Sequence, residues 1–259
     1  SYLSTSYFNG TVDVDASTTA QSIGGLVGEV GNSEIDKVYS LGIVINRSSA
    51  TNRYIGGLIG LNTDDTDPDF TNTTISNAYS RSNVTGGANV GGIVGKNSSP
   101  NYAPLELSKS YFSGTITATS NYGGLIGPFG SADISSSYFD KENISASLTM
   151  SDDASYGVSQ ASMQANNLYL TAGWGLTLDS NLGTDYPILD FSNASNPWKI
   201  YGTFIPVTYT LSDVTSGYTY NGSSQLPSAW TASSIFGGSY DSWILGTDYY
   251  ISSSGSDVT

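Results

Sequence analysis

The chain has 259 residues, no Cys, no His and a formal net charge of −14 at pH 7. The absence of Cys excludes disulfides and thiol chemistry, and the negative charge argues against nucleic acid and anionic membrane surfaces, which recruit Lys and Arg. No apolar stretch reaches the roughly 18 residues of a membrane span, and no signal peptide is recognisable.

Two short phrases repeat along the first half of the chain. The phrase Gly-Gly-(Leu/Ile)-(Val/Ile)-Gly occurs at Gly24 to Gly28, Gly56 to Gly60, Gly91 to Gly95 and Gly123 to Gly127. The second phrase has an aliphatic residue four positions before a tyrosine, at Ile35 and Tyr39, Ile75 and Tyr79, Leu107 and Tyr111, and Ile134 and Tyr138. The opening residues, from Ser6 to Val12, match the end of one more copy, which suggests that the chain is an excised fragment.

A fixed period of this length indicates a solenoid, a propeller or an array. Ser, Thr, Gly, Tyr, Val and Ile dominate the repeats, which favours strands and tight turns over helices. We therefore predict an all-β fold, a right-handed parallel β-helix with about one coil per repeat and coils about 4.8 Å apart. A β-propeller is the alternative, although its blades are usually longer and four-stranded.

The register of the phrases predicts which side chains stack. Leu26, Leu58, Ile93 and Leu125 should form one inward ladder, and Ile35, Ile75, Leu107 and Ile134 a second. Tyr39, Tyr79, Tyr111 and Tyr138 should form an aromatic ladder, which the offset geometry of ring pairs allows.

An acidic loop interrupts the second repeat. Its four acids lie within six residues, at Asp64, Asp65, Asp67 and Asp69. Calcium takes several oxygen ligands from such loops, so these residues are candidate calcium ligands, although the spacing is not that of an EF-hand. The alternative is a solvated acidic loop. No other cofactor is expected.

The repeat ends after Tyr138, and the chain divides into three predicted parts. Residues 1–140 form the solenoid, and residues 141–200 form a cap over its open end, because a bare last coil exposes unpaired strand edges. Within the cap, Ser159 is the predicted N-cap of a short helix, and Trp174 and Trp198 are predicted apolar plugs. Residues 201–259 alternate like strands around the turn signal Asn221-Gly222, which predicts a small β-sandwich-like module.

These motifs resemble the GLUG-motif family over roughly residues 6 to 190. In that family the array ends with further phrases, whose counterparts are Tyr138-Phe139-Asp140, Gly157-Val158-Ser159 with Met163, Trp174, and Tyr186-Pro187-Ile188-Leu189. The tail from Tyr201 resembles the MBG or YDG modules of large bacterial adhesins.

The resemblance implies a secreted or surface-attached bacterial protein of the filamentous-haemagglutinin type. In such proteins this region is a non-catalytic stalk or ligand-presenting scaffold, at the cell surface and in biofilms. The implied partners are a surface glycan, a protein receptor or neighbouring adhesin modules. GLUG repeats also occur beside peptidase domains, so the motif alone does not fix a function.

A polysaccharide-active enzyme is the alternative function, because parallel β-helices also host lyases and hydrolases. Such sites pair carboxylates on one strand face, or use carboxylate-bound calcium with a basic residue. Asp13 and Asp15 lie two residues apart and could share a face, but the sequence places no basic residue beside them. A solvated strand face explains them equally well.

Overall fold

The computed structural model describes residues 1–63, 72–98, 104–128, 130–144 and 154–202, and two short strands near the end of the chain. Internal contacts divide the chain into two units, Ser1–Ile205 and Pro206–Thr259. In the second unit the described residues are the strands Ser252–Ser253 and Ser256–Asp257, which pair antiparallel. The predicted module at 201–259 therefore lies almost entirely outside the described residues.

The first unit is built mainly from short strands. In chain order they are β1 (Tyr2–Val14), β2 (Ser22–Gly24), β3 (Val27–Val30), β4 (Glu34–Asn46), β5 (Tyr54–Gly56), β6 (Ile59–Asn62), β7 (Thr74–Ser80), β8 (Asn83–Thr85), β9 (Ala88–Gly91), β10 (Val94–Asn97), β11 (Leu105–Ser108), β12 (Tyr111–Phe112), β13 (Ile116–Thr117), β14 (Ser120–Gly123), β15 (Ala132–Ser135), β16 (Tyr138–Asp140), β17 (Gly157–Val158), β18 (Leu176–Asp179), β19 (Ile188–Leu189) and β20 (Trp198–Tyr201). The helices are α1 (Gln160–Met163) and α2 (Asn166–Thr171), and 3₁₀ turns span Lys141–Asn143 and Ala154–Tyr156.

Parallel pairing organises the repeats into three sheets. The largest runs β13-β8-β4-β7-β12-β16-β17, with β1 beside β4 and β11 between β7 and β15. The other two run β10-β6-β3 and β14-β9-β5-β2. The chain is thus mostly β with parallel sheets, which confirms the predicted class. A propeller does not fit, because its blades are antiparallel.

Equivalent positions of successive repeats pair in register, as the sequence predicts. Ile35 pairs with Ile75, which pairs with Leu107, which in turn pairs with Ile134. The first glycines of the four phrases, Gly24, Gly56, Gly91 and Gly123, pair in the same way. Along the other ladder, the amides of Leu26, Leu58 and Ile93 donate to the carbonyls of Leu58, Ile93 and Leu125. The opening residues pair as one more copy, with Tyr7 opposite Tyr39.

The inward ladders form one apolar core along the repeats. Leu58, Ile93 and Leu125 are fully buried, and Leu26 packs against them at the edge. Each of these residues removes apolar surface from water in proportion to its area, so the core grows with every repeat that is stacked. The two ladders therefore explain why an aliphatic residue returns in each copy.

The second glycine of each phrase faces the residue that follows the tyrosine. A Cβ atom built on Gly57 would lie closer than 3.0 Å to Ser80 Oγ, and one built on Gly92 closer than 3.0 Å to the Phe112 ring. The same Cβ atoms would also overlap the carbonyl oxygen of the next phrase. The two phrases recur together along the sequence because the second glycine of one phrase is in direct contact with the residue that follows the tyrosine of the other.

Gly92→Ala should therefore destabilise the repeats. We expect a loss of about 3 kcal/mol, since the added methyl group meets backbone and a buried ring that cannot both move away. Gly183→Ala is the matched control, because nothing lies within 4 Å of a Cβ atom there and its effect should stay within about 0.5 kcal/mol. Urea unfolding measures both, and equal midpoints would contradict the packing.

The non-repeating part, residues 154–202, combines short helices with a small sheet. Ser159 accepts a hydrogen bond from the amide of Ser162 and caps α1, which confirms the predicted N-cap. The sheet runs β18-β20-β19 and contains one antiparallel pair. At the end of the repeats, β17 pairs with β16 and extends the largest sheet by one short strand.

Candidate functional site

A stack of tyrosine rings runs along one side of the repeats. The ring centroids of Tyr7 and Tyr39, Tyr39 and Tyr79, and Tyr79 and Tyr111 are 4.9, 4.8 and 5.0 Å apart, with planes within 9° of parallel. We call these four residues the tyrosine column. Tyr138 follows in backbone register with Tyr111, but its ring packs edge-on against Tyr169 and beside Trp174.

A left-handed residue precedes each tyrosine by two positions. The residues with positive φ at this position are Thr5, Lys37, Asn77, Lys109 and Ser136, with φ between 46° and 56°. Such a residue costs about 1 to 3 kcal/mol unless it is glycine, and Asn tolerates it best. The repeated bend turns the chain at the same point in every copy and thereby aligns the rings.

Residues 154–202 cover the middle of the tyrosine column. Trp198 is fully buried, lies 5.9 Å from both Tyr79 and Tyr111, and contacts Trp174 at 4.6 Å. Its indole nitrogen donates to the side chain of Asn77 at 3.1 Å. The two tryptophans predicted as apolar plugs of the cap are thus buried against tyrosine rings on the side of the repeats, Trp198 against Tyr79 and Tyr111 and Trp174 beside Tyr138.

Arg81 is the centre of the polar contacts in this region. Its guanidinium donates to the Tyr111 hydroxyl and to the Asp185 carboxylate, both at 2.8 Å, and to the backbone carbonyls of Tyr186 and Pro187. The guanidinium carbon also lies 5.4 to 5.9 Å from the ring centres of Tyr79, Tyr111 and Tyr186. One side chain therefore joins the repeats to the segment that covers them.

Burial and charge shift the ionisation of this cluster. Burial raises the pKa of Tyr79 and holds the pKa of Tyr111 well above its usual value, although the charge of Arg81 partly opposes this. Burial alone would lower the pKa of Arg81, but the neighbouring Tyr111 and Asp185 raise it overall. Both phenols are consequently protonated at neutral pH and cannot act as general bases.

Asp140 is a buried carboxylate beside the Arg81 cluster. It accepts hydrogen bonds from the amide of Glu142 at 2.9 Å, from Asn143 Nδ2 at 3.1 Å and from the hydroxyl of Tyr186. Burial, followed by the bond to Asp140, raises the pKa of Tyr186. A buried carboxylate needs such donors. The hydrogen bond between Tyr186 and Asp140 thereby fastens the 185–189 segment to the repeats.

Arg81→Met should weaken the attachment of residues 154–202 to the repeats, while the Met side chain keeps the aliphatic part of the arginine. We expect a loss of about 2 to 4 kcal/mol, since several charge-assisted hydrogen bonds disappear and the carbonyls they satisfied lose their donors. Arg47→Met is the control, because its bidentate pair with Asp13 is solvent-exposed and should contribute much less. Tryptophan fluorescence during thermal melting reports the difference, and equal shifts would show that Arg81 has no special role.

The predicted calcium ligands Asp64, Asp65, Asp67 and Asp69 lie outside the described residues. Among the residues that the structure describes, no group of three or more His, Cys, Asp or Glu side chains could hold a metal ion. Calcium at the loop stays a prediction. If the loop binds calcium, millimolar calcium should raise the melting temperature relative to chelator, and Asp65→Asn with Asp67→Asn should abolish the shift. Equal shifts in both proteins would place calcium elsewhere.

Asp13 and Asp15 have separate structural roles. Asp13 forms a bidentate pair with Arg47, at 2.8 and 2.7 Å, and this hydrogen bonding lowers its pKa. Asp15 accepts the backbone amide of Ser17 at 2.8 Å, which lowers its pKa in the same way. The structure thus places a basic residue, Arg47, beside Asp13, which the sequence spacing did not predict. Arg47 forms an ion pair with Asp13 and not with Asp15.

A groove beside strands β11 and β15 of the largest sheet has two carboxylates in its lining. Glu106 and Asp133 are register partners on β11 and β15, so they lie one strand spacing apart, about 4.8 Å. The groove has a volume of about 450 Å³ and is also lined by Thr74, Ser108 and Tyr156. Asn72 Nδ2 donates to Glu106 at 2.9 Å. Sequence analysis did not single out this pair, although the repeat register alone could have aligned it.

Comparison of the chain with family models, curated proteins and solved structures gives no match. Within the described part of the chain, no helix is both long and apolar enough to span a membrane.

Proposed function

We propose that the repeats form a right-handed parallel β-helix of about four to five coils that acts as a non-catalytic stalk or ligand-presenting scaffold. The observation that carries this proposal is the in-register pairing of the same repeat positions through parallel sheets. Such pairing gives an uninterrupted column of hydrogen bonds and a core that needs no partner domain. This is the mechanical property that a surface stalk requires.

The repeat and terminal phrases that resemble the GLUG-motif family support the same proposal. On this basis the protein is a segment of a secreted or surface-attached bacterial adhesin, located outside the cell. The arrangement around Arg81 is consistent with a structural role, because its polar atoms bond within the chain. The proposed partners are a surface glycan, a protein receptor or neighbouring modules of the same adhesin.

Adhesion is tested with beads coated with the whole chain. They should bind bacterial or host cells above the level of beads coated with Leu58→Asp, a variant expected to unfold because it buries a carboxyl group in the apolar core. Gly183→Ala beads are the folded control and should bind like the original chain. Equal binding of folded and unfolded protein would show that the folded repeats have no adhesive function.

A polysaccharide-active enzyme is the second candidate, and the groove with Glu106 and Asp133 is the observation that favours it. Paired carboxylates can act as acid and base in glycoside cleavage. Incubation with pectate, alginate and hyaluronan, with and without calcium, should yield no new reducing ends or unsaturated products. If the chain cleaves one of these polysaccharides and the double variant Glu106→Gln with Asp133→Asn does not, the enzyme becomes the preferred function over the stalk.

A further inference from the structure

Aromatic rings on the side of the repeats form a continuous path that leads to Tyr186. From Tyr39 the path runs through Tyr79 and Tyr111, with ring centroids 4.8 and 5.0 Å apart. Tyr111 then stacks on Tyr186 at 6.0 Å, with the two planes 13° from parallel. Trp198 lies 5.9 Å from both Tyr79 and Tyr111. Phenols and indoles are the aromatic side chains that lose an electron most readily, and electron transfer between rings in contact is fast because its rate falls steeply with distance.

The two ends of this path differ in their access to solvent. Tyr39 is half-buried, whereas Tyr79, Tyr111 and Tyr186 are 4%, 0% and 9% exposed. A molecule in solution therefore meets Tyr39 first among these four rings. The inner phenols exchange electrons with it through the stack.

Tyr186 has a different hydrogen-bond partner from the other rings of the path. Its hydroxyl donates to the Asp140 carboxylate. The Tyr111 hydroxyl and the Trp198 indole donate to amide oxygens instead, at 2.6 and 3.1 Å. A carboxylate takes up a proton far more readily than an amide oxygen does. Tyr186 therefore has a base within hydrogen-bond reach, which the partners of Tyr111 and Trp198 do not supply.

Oxidation of a phenol at neutral pH depends on such a base. A phenol that has lost an electron is a strong acid, so the electron leaves far more easily when the proton passes at the same time to a base already in place. Burial, followed by the bond to Asp140, raises the pKa of Tyr186, so the phenol still carries its proton at neutral pH. Asp140 is fully buried and also accepts the amide of Glu142 and Asn143 Nδ2, which hold the carboxylate in place.

Arg81 favours oxidation that is coupled to proton transfer. Its guanidinium carbon lies 5.4 to 5.9 Å from the ring centres of Tyr79, Tyr111 and Tyr186. A fixed positive charge at this distance disfavours a second positive charge on any of these rings. Oxidation of Tyr186 with transfer of its proton to Asp140 leaves the ring uncharged and avoids this repulsion.

We propose that Tyr186 and Asp140 form a redox-active pair, which supplies one electron to one-electron oxidants in solution through the stacked rings of Tyr111, Tyr79 and Tyr39. The O–H bond of Tyr186 breaks, its proton passes to a carboxylate oxygen of Asp140 and its electron passes to the oxidant. The products are a neutral Tyr186 phenoxyl radical, a protonated Asp140 and the reduced oxidant. The other rings are unchanged, because each passes on as many electrons as it receives. This activity is independent of the stalk function.

Flash photolysis of the whole chain with ruthenium tris(bipyridine) and persulfate generates a one-electron oxidant and tests the pair. Phenoxyl absorbance and electron paramagnetic resonance should show a long-lived tyrosyl radical. Tyr186→Phe should remove this radical, because phenylalanine keeps the ring but has no phenol. Tyr201→Phe, at an exposed tyrosine, is the control and should leave the radical unchanged. A long-lived radical of equal yield in Tyr186→Phe would overturn the proposal.

Asp140→Asn tests the carboxylate as the proton acceptor. The variant keeps the shape of the side chain but replaces the base with an amide, so the yield of the long-lived radical should fall at least about tenfold. In the unaltered chain, radical formation should slow in heavy water because a proton moves with the electron, and this measurement needs no folded variant. An unchanged rate in heavy water would show that no proton transfer limits the step and would overturn the pair, as would an unchanged yield in Asp140→Asn.

Tyr79→Phe tests the route through the tyrosine column. The phenylalanine ring keeps the stack but does not give up an electron, so the radical at Tyr186 should form several-fold more slowly. Circular dichroism checks that the variant is folded. An unchanged rate would overturn the route through the stacked rings.

Discussion

Leu58→Asp is expected to unfold the repeats. Leu58 is fully buried in the inward ladder, and its backbone pairs with the equivalent residues of the repeats before and after it. The substitution leaves a cavity and buries a carboxyl group with no compensating partner, which together cost about 5 kcal/mol or more. This is comparable with the whole stability of a typical domain, about 5 to 15 kcal/mol.

Circular dichroism and urea unfolding measure this loss. Leu58→Met is the matched control, because it keeps the volume and the apolar character and should cost less than about 1.5 kcal/mol. A Leu58→Asp protein with an unchanged melting temperature would show that residue 58 is not in a closed core and would count against the stacked-coil arrangement.

Alkaline pH is expected to unfold the protein cooperatively. Burial raises the pKa of Tyr79, Tyr111 and Tyr169 in the folded chain, whereas in the unfolded chain these phenols ionise near pH 10. Below about pH 10 both states are protonated and the stability is complete. Above it the unfolded state loses protons that the folded state retains, so stability falls as the pH rises.

The expected size follows from the number of buried phenols. Each loses about 1.4 kcal/mol of stability per pH unit, so three together lose about 4 kcal/mol per pH unit. The fold should therefore be lost between about pH 11 and 14, given the stability of a typical domain, about 5 to 15 kcal/mol. Tyrosinate absorbance should first rise as exposed phenols ionise near pH 10, and the remaining rise should coincide with a single cooperative loss of the circular dichroism signal.

Single variants test the origin of this transition. Tyr79→Phe keeps the stacked ring and removes one buried phenol, so its alkaline midpoint should move upward. Tyr2→Phe is the control, because Tyr2 is 63% exposed and its removal should leave the midpoint unchanged. Gradual ionisation of all tyrosines near pH 10 without unfolding would contradict the burial of the tyrosine column.

Repetition made the parallel register predictable from the sequence. When each unit can bury its apolar face only against the next, identical positions must lie on top of one another, and the spacing of two phrases then aligns Ile35 with Ile75 and Tyr39 with Tyr79. The alignment holds although the number of residues between the two phrases varies from copy to copy. The all-β class, the ladders and the additional copy at Tyr7 follow from this reasoning.

The contact between the two repeated phrases could be recognised only in the tertiary structure. The sequence shows that Gly92 and Phe112 each belong to a repeated phrase, but the number of residues between the phrases varies from copy to copy. Only the folded chain shows that the glycine lacks a side chain because the Phe112 ring occupies that space. Steric exclusion between residues far apart in sequence leaves no local signal.

The sequence by itself determined the repeat, its β class and its parallel register, because these follow from the same residue types returning at equivalent positions in every copy. The tertiary structure alone decided where residues 154–202 pack and which charges meet. Arg81 and Asp185 are 104 residues apart, and Asp13 lies on β1 whereas Arg47 directly follows the neighbouring strand β4. Each of these two contacts occurs once in the chain, so the repeat pattern does not predict it. The contacts form only because the apolar tyrosine column and the stacking of strands bring the segments together.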